Sequence, residues 1–165
     1  GARMTPGGPL PFFGFLSYTL SRSERNDRPE QGDNWRLFDF DPAHILTLAG
    51  VWTIGDGWEA GLTFRLVSGN PLTPVTGANF DANLGLYRPT YGAVNSERNP
   101  FFHRLDLRVQ KTWRIDDGRV SIYLDVQNVY NATNREGVTY SYDYRQSADV
   151  NGLPILPTLG IRGEL

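Results

Sequence analysis

The stretch HRLDLRVQKTWRIDDGRVSIYLDVQNVY, residues 103–130, decides the fold. Apolar residues recur at every second position on both sides of a central turn, Asp116-Asp117-Gly118. A period of two is typical of a strand with one apolar and one polar face, whereas a helix repeats every three to four residues. The two arms, residues 103–115 and 119–130, are about twice as long as an average globular strand of about 5–6 residues. The stretch therefore predicts a long β-hairpin.

Four further segments alternate in the same way, at residues 13–22, 44–54, 58–68 and 157–165. Their lengths approach the roughly 9–11 residues that a transmembrane β-strand needs. A second short turn, Gly55-Asp56-Gly57, joins two of them. The pattern predicts an all-β chain with about six antiparallel, up-and-down strands.

The connections between these strands alternate in length. Up-and-down threading then brings all short turns to one end of the sheet and all long loops to the other. Bacterial outer-membrane barrels combine short periplasmic turns with long extracellular loops in this way. We therefore expect a transmembrane β-barrel segment, part of a larger barrel, over residues 13–165, with residues 1–12 as a lead-in at the start of a fragment. The periplasmic turns are 55–57 and 116–118, and the extracellular loops are 23–42, 69–102 and 132–156.

Composition excludes several other classes. The net charge is −2, and no basic patch indicates nucleic acid. Cysteine is absent, which excludes disulfides and thiol chemistry. No run of about 18 apolar residues predicts a membrane helix. No cofactor and no metal are expected.

Aromatic residues cluster at the short-turn end, in phase with the apolar face. Because a Trp ring is apolar and its N–H needs a polar partner, Trp favours a membrane–water interface. We interpret four residues as an interface girdle: Phe12, Trp52, Trp58 and Trp113. The alternative is the edge of a soluble core. Lys111 falls in the apolar phase, and either it extends toward the short-turn end or a bulge changes the phase.

The opposite face is polar and charged along several neighbouring strands. A water-filled or plugged lumen accommodates such a face, and so does a sheet exposed to solvent. The predicted lumen-facing residues are Glu59, Arg65, Asp106, Arg108, Gln110, Tyr123, Asp125, Gln127, Arg162 and Glu164.

Three residue pairs could carry chemistry: His44 with His103, Asp39 with Asp41, and Asp106 with Asp125. The histidines could bind a metal, but polar interface residues are the preferred interpretation. The first aspartates could bind a cation, but a turn before Pro42 is preferred. The last pair could act as catalytic carboxylates, but charged lumen residues explain them more simply. We therefore do not expect an enzyme.

Loop aromatics are the candidates for ligand binding, because they provide contact area at low entropic cost. The alternative is that they pack the loops against one another. They are Tyr87, Tyr91, Phe101 and Phe102 in the longest loop, and Tyr140, Tyr142 and Tyr144 in the last. Residues 138–144 (VTYSYDY) also alternate, so they could extend the fifth strand beyond the membrane.

Several strings resemble the C-terminal part of TonB-dependent receptors. They cover essentially residues 13–165, and their order and spacing carry the resemblance. The strings are WRLFDFDPAHILTL (35–48), VSGNPLTP (67–74), NSERNPFFHRLDLRVQKT (95–112), YLDVQNVYN (123–131) and LPILPTLGIRGEL (153–165).

The resemblance implies a 22-stranded barrel filled by an N-terminal plug, located in the bacterial outer membrane. It implies uptake of a scarce ligand such as a siderophore or cobalamin, driven by the TonB energy-coupling system through the plug region. It also implies recognition of the last strand by the barrel-assembly machinery. The chain departs from the family in having no plug or TonB box, and in ending with Leu165 where the family usually has Phe.

Two other functions stay open at this point. A structural or adhesive outer-membrane barrel would have the same strands without an import role. A soluble β-sheet binding module would turn the apolar face inward.

Overall fold

The computed structural model describes residues 11–165, and its regular structure is all-β apart from one 3-10 turn at Pro29–Gln31. The strands, in chain order, are β1 (Phe12–Leu20), β2 (Glu24–Asn26), β3 (Trp35–Leu37), β4 (His44–Gly55), β5 (Trp58–Val67), β6 (Pro71–Leu72), β7 (Val75–Asp81), β8 (Leu86–Tyr91), β9 (Glu97–Arg98), β10 (Phe102–Ile115), β11 (Gly118–Gln127), β12 (Arg135–Tyr140), β13 (Ser147–Asn151) and β14 (Leu156–Glu164).

The six long strands form one antiparallel sheet in the order β1-β4-β5-β10-β11-β14. This confirms the all-β prediction. Five of the six strands start and end within two residues of the predicted segments. The exception is β11, which ends three residues before the end of its predicted segment. Phe12, placed in the lead-in, is the first residue of β1. The eight short strands pair with one another inside the three long connections. The long connections are therefore folded hairpins, all at one end of the sheet.

The short turns are tight because their residues tolerate left-handed backbone. Asp56 and Gly57 have φ of 51° and 76°, as a two-residue hairpin turn of the primed type requires. Gly55 still belongs to β4, so this turn has two residues rather than the predicted three. Asp116 has φ of 50° at the corresponding turn between β10 and β11.

Residues 138–144 do not extend the fifth strand, so that interpretation is wrong. Asn128 and Asn131 both adopt a left-handed backbone conformation, with φ of 52°, and turn the chain away from the direction of β11. β12 then pairs with β13 in a separate hairpin, in which Tyr140 lies opposite Ser147. Asparagine permits this reversal because its short side chain tolerates positive φ.

Cross-strand partners share a face, so the registers show which residues lie together. One row across the sheet is apolar: Trp52, Ala60, Val109, Leu124 and Leu159. The adjacent row on the other face is largely polar: Val51, Gly61, Arg108, Asp125 and Thr158. The two faces predicted from alternation are therefore present in one continuous sheet.

Within residues 11–165, no hydrophobic side chain is buried. Besides Gly50 and Pro71, the buried residues are polar and lie within the long connections: Asp41, Ser68, Asn95, Asn128 and Asn134. The sheet is open, because β1 and β14 have no second strand partner in the described range. Burial of apolar surface contributes roughly 25 cal/mol per Å², and the apolar face obtains little of it within this chain. No helix in that range is long and apolar enough to cross a membrane.

Candidate functional site

The three long connections meet at one end of the sheet and are tied together by polar side chains. We call them loop one (residues 21–43), loop two (68–101) and loop three (128–155). Arg98 of loop two donates to the backbone oxygen and to Oδ2 of Asp41 in loop one, both at 2.7 Å. Asp41 is 1% exposed and also accepts from the Ser23 amide at 2.7 Å. Burial raises the pKa of Asp41, but these hydrogen bonds outweigh it and the pKa is lowered overall.

A second tie joins the same two loops. The Asn95 amide donates to the Leu37 backbone oxygen at 2.8 Å and to Asp39 at 2.6 Å. Hydrogen bonds from Asn95 and Arg36 lower the pKa of Asp39. Both aspartates considered as cation ligands are thus engaged by protein donors. The described residues contain no group of three or more His, Asp or Glu placed to hold a metal.

Loop three is joined to loop two by similar contacts. The Arg135 guanidinium donates to Oδ1 of Asn99 at 3.0 and 3.3 Å. The Tyr142 hydroxyl donates to the Gly85 oxygen at 2.5 Å. Three loops that are distant in sequence therefore form one connected layer.

The structure brings together four of the seven loop aromatics. Tyr87 and Tyr142 meet edge to face with centroids 5.5 Å apart, and Phe80 extends this contact at 5.1 Å from Tyr87. The other pair, Tyr140 and Tyr144, has centroids 5.6 Å apart. Tyr87 and Tyr142 therefore join loop two to loop three, whereas Tyr140 and Tyr144 contact each other within loop three. The remaining three are Tyr91 and Phe101, which are exposed, and Phe102, which lines a cavity.

That cavity, of about 400 Å³, lies where the loop layer meets the polar face of the sheet. We call it the loop-end cavity. All three loops and strands β5 and β10 contribute to its wall. Its polar and aromatic lining comprises Arg65, Asn70, Asn99, Phe102, Arg135 and Glu136.

Ion pairs join several of the charged side chains on the polar face. Arg108 pairs with Asp125 at 2.8 Å, and Arg104 pairs with Asp106 at 2.9 Å. The two carboxylates considered as a catalytic pair therefore each have their own arginine. Arg108 also lies 4.0 Å from the centre of the Tyr123 ring, a cation–π contact.

A second cavity of about 620 Å³ lies on the same face at the short-turn end. We call it the short-turn cavity. Its charged lining is Asp56, Glu59, Arg114, Arg119, Arg162 and Glu164. Arg119 and Arg162 both pair with Glu164, at 3.1 and 2.6 Å. Of the predicted lumen residues, Glu59, Gln110, Arg162 and Glu164 line this cavity and Arg65 lines the loop-end cavity.

The apolar face carries the four predicted girdle residues at the short-turn end. Phe12, Trp52, Trp58 and Trp113 are each between 42% and 49% exposed. Phe12 lies across two glycines, since a Cβ on Gly14 or Gly50 would come within 2.8 or 2.9 Å of its ring. The aromatic rings thus lie along one boundary of the apolar face.

The other boundary of the apolar face has a belt that sequence reasoning missed. The Tyr18 hydroxyl bonds Nδ1 of His44 at 2.8 Å, and the Tyr130 hydroxyl bonds Nδ1 of His103 at 2.8 Å. Each pair is also stacked, with interplanar angles of 24° and 25°. The histidines were noted from sequence as interface residues, but their partners are 26 and 27 positions away.

The polar face carries charged side chains on only some of its strands. The alternation in the sequence did not indicate this difference between strands. On β1 and β4 it carries Phe13, Phe15 and Val51, each at least 40% exposed. Charged side chains begin only at β5. The charged lumen residues predicted from sequence therefore occupy four of the six strands.

Comparisons with protein-family models, with curated proteins and with solved structures find no match to this chain.

Proposed function

We propose that this chain forms part of the wall of a bacterial outer-membrane β-barrel that acts as a receptor and transporter. The apolar face contacts lipid, the polar face lines an aqueous lumen, and the loop layer faces outward. The observation that carries the proposal is an apolar face with no buried side chain in the described range and with amphipathic rings at both of its boundaries. A soluble binding module would bury that face within its own fold.

The height of the apolar face supports a membrane location. About eight residues separate Trp52 from His44 on β4, and about ten separate Trp113 from His103 on β10. At about 3.4 Å per residue these spans are about 27 and 34 Å along the strands. A strand tilt of about 40° reduces them to about 21 and 26 Å, close to the roughly 25 Å apolar band of outer-membrane barrels.

The receptor part of the proposal rests on the loop layer and on the resemblance of the sequence strings to TonB-dependent receptors. A connected layer above a lumen-side cavity is suited to hold a ligand before transport. In this proposal the ligand is scarce, and energy comes from the TonB system through a plug region. The last strand, β14, serves as the contact for the barrel-assembly machinery.

Depth-dependent fluorescence quenching tests the membrane location. Four single-tryptophan variants each retain Trp35, Trp52, Trp58 or Trp113, with the others changed to Phe. The chain is folded into vesicles that contain spin-labelled lipids. We expect strong quenching of the three girdle tryptophans and little quenching of Trp35, which lies in loop one and is 60% exposed. Equal quenching of all four, or no quenching, would overturn the proposal.

A further inference from the structure

We propose that the loop-end cavity binds a small ligand that carries a carboxylate or similar oxyanion on an apolar or aromatic group. Arg65 is the anion-binding residue and Phe102 is the apolar contact. The inference rests on the proposed function, because it names the chemistry of the ligand that the loop layer would hold.

The first reason is that the Arg65 side chain has no partner in the part of the chain that the structure describes. Within residues 11–165 its guanidinium has no hydrogen-bond or ion-pair partner. It stands directly opposite Arg104 in the sheet, and like charges in this position repel each other. Arg104 already has Asp106 as its partner at 2.9 Å. Arg65 is exposed to solvent and accessible to a ligand. An anion beside it would reduce the repulsion, and the planar guanidinium suits a two-pronged contact with an oxyanion.

The second reason is the balance of charge around the cavity. Arg135 provides a second cation, held in place by Asn99 and by Asp149 at 3.3 Å. The single carboxylate in the lining belongs to Glu136, which lies against Gly152, with one oxygen 2.5 Å from where a Cβ would stand. Because Arg135 is paired with Asp149, Arg65 is the arginine of the lining that has no carboxylate partner among the described residues.

The lining of the short-turn cavity, on the same face, contains equal numbers of arginines and carboxylates. Its three arginines face three carboxylates, Asp56, Glu59 and Glu164, and two of the arginines pair with Glu164. Arg114 resembles Arg65 in lying opposite another arginine, Arg119, and in having no partner among the described residues. It therefore provides a matched control, an unpaired arginine on the same face that lies outside the loop-end cavity.

The third reason is the shape and lining of the loop-end cavity. Its volume of about 400 Å³ falls in the range of about 300–1,000 Å³ that small-molecule sites occupy. Phe102 and Val67 are cross-strand partners on its wall and provide an apolar surface beside the arginines. A ligand with an apolar group next to its anionic group would contact both.

Calorimetric titration of the chain folded into vesicles tests the proposal, with benzoate as the probe and benzamide and acetate as comparisons. Benzamide has the same shape as benzoate without the charge, and we expect it to bind about tenfold more weakly. Acetate lacks the ring and is expected to bind more weakly than benzoate. Phe102→Ala should reduce benzoate binding to the level of acetate.

The variants locate the site. Arg65→Gln should lower the benzoate affinity about tenfold, whereas Arg114→Gln should leave it unchanged. Equal affinity of the two variants, or equal binding of benzoate and benzamide, would overturn the assignment. Absence of saturable benzoate binding in a preparation whose girdle tryptophans are quenched by lipid would refute the ligand chemistry alone. Absence of the quenching refutes the membrane proposal, independently of this titration.

Discussion

The ammonium group of Lys111 donates a hydrogen bond to the backbone oxygen of Asp56 in the turn between β4 and β5. It lies 5.2 Å from the centre of the Trp58 ring and 5.9 Å from that of Trp113. Lys111 keeps the apolar phase, since its cross-strand partners are Trp58 and Ile122. Of the two explanations open from sequence, extension toward the short-turn end is therefore confirmed and a bulge is not needed.

Lys111→Glu should impair assembly, because it removes the carbonyl contact and places an anion between two aromatic faces. We expect a loss of about 1–3 kcal/mol in the free energy of unfolding. Heat-modified migration on gels measures the folded fraction after insertion into vesicles. Lys111→Arg is the control and should remain near wild type, since it retains both the charge and the reach. Equal behaviour of the two variants would show that the contact has no role.

Leu107→Arg should block membrane assembly, whereas Arg108→Ala should be tolerated. Leu107 is 38% exposed on the apolar face, and an arginine near the bilayer midplane costs about 2–4 kcal/mol. Arg108 lies on the other face, where an ion pair with Asp125 contributes about 0–1 kcal/mol. Leu124→Arg and Gln127→Ala repeat the comparison on β11. The readout is the fraction inserted into vesicles, and a similar loss in both sets would contradict the assignment of the faces.

The contact between Asp41 of loop one and Arg98 of loop two should be lost only at low pH. The pKa of Asp41 is lowered in the folded chain, so its contribution to stability is present above the unfolded value of about 3.8 and is lost as the pH falls through the folded pKa. Hydrogen exchange of the Ser23 amide, which bonds Asp41, should stay slow from pH 7 to about 4 and rise below that, after correction for intrinsic rates.

Asp41→Asn should open the same contact at neutral pH, with a cost of about 1–3 kcal/mol, because Arg98 loses its charged partner. Asp33→Asn, at an exposed position of loop one, is the control and should leave exchange at Ser23 unchanged. Slow exchange in Asp41→Asn would mean that other contacts hold the two loops.

Gly160→Ala and Gly163→Ala form a matched pair on β14. The Tyr123 ring covers Gly160, so an added Cβ would overlap the ring and displace it from Arg108. We expect a loss of about 1 kcal/mol. A Cβ added at Gly163 would meet no atom within 4 Å, so the substitution should be neutral or slightly stabilising. Thermal unfolding in detergent distinguishes them, and equal midpoints would argue against the Tyr123 contact.

The sequence by itself determined the six long strands, their two faces and the ends at which turns and loops lie. Alternation is a local property, because successive side chains point to opposite faces of any strand. For the same reason Trp52, Trp58 and Trp113 could be assigned to one boundary of the apolar face before the registers were known. The turn residues Asp56 and Gly57 were equally local signals.

Only the tertiary structure decided which distant side chains meet. Arg98 binds Asp41 across 57 positions, and Tyr130 binds His103 across 27. The unpaired state of Arg65 depends on the register that sets it against Arg104. Residues 138–144 alternate like a barrel strand, yet they pair within a loop hairpin because two left-handed asparagines reverse the chain first. Such contacts depend on strand register and on the paths of the loops. The alternation of side chains along a single strand does not determine either of them.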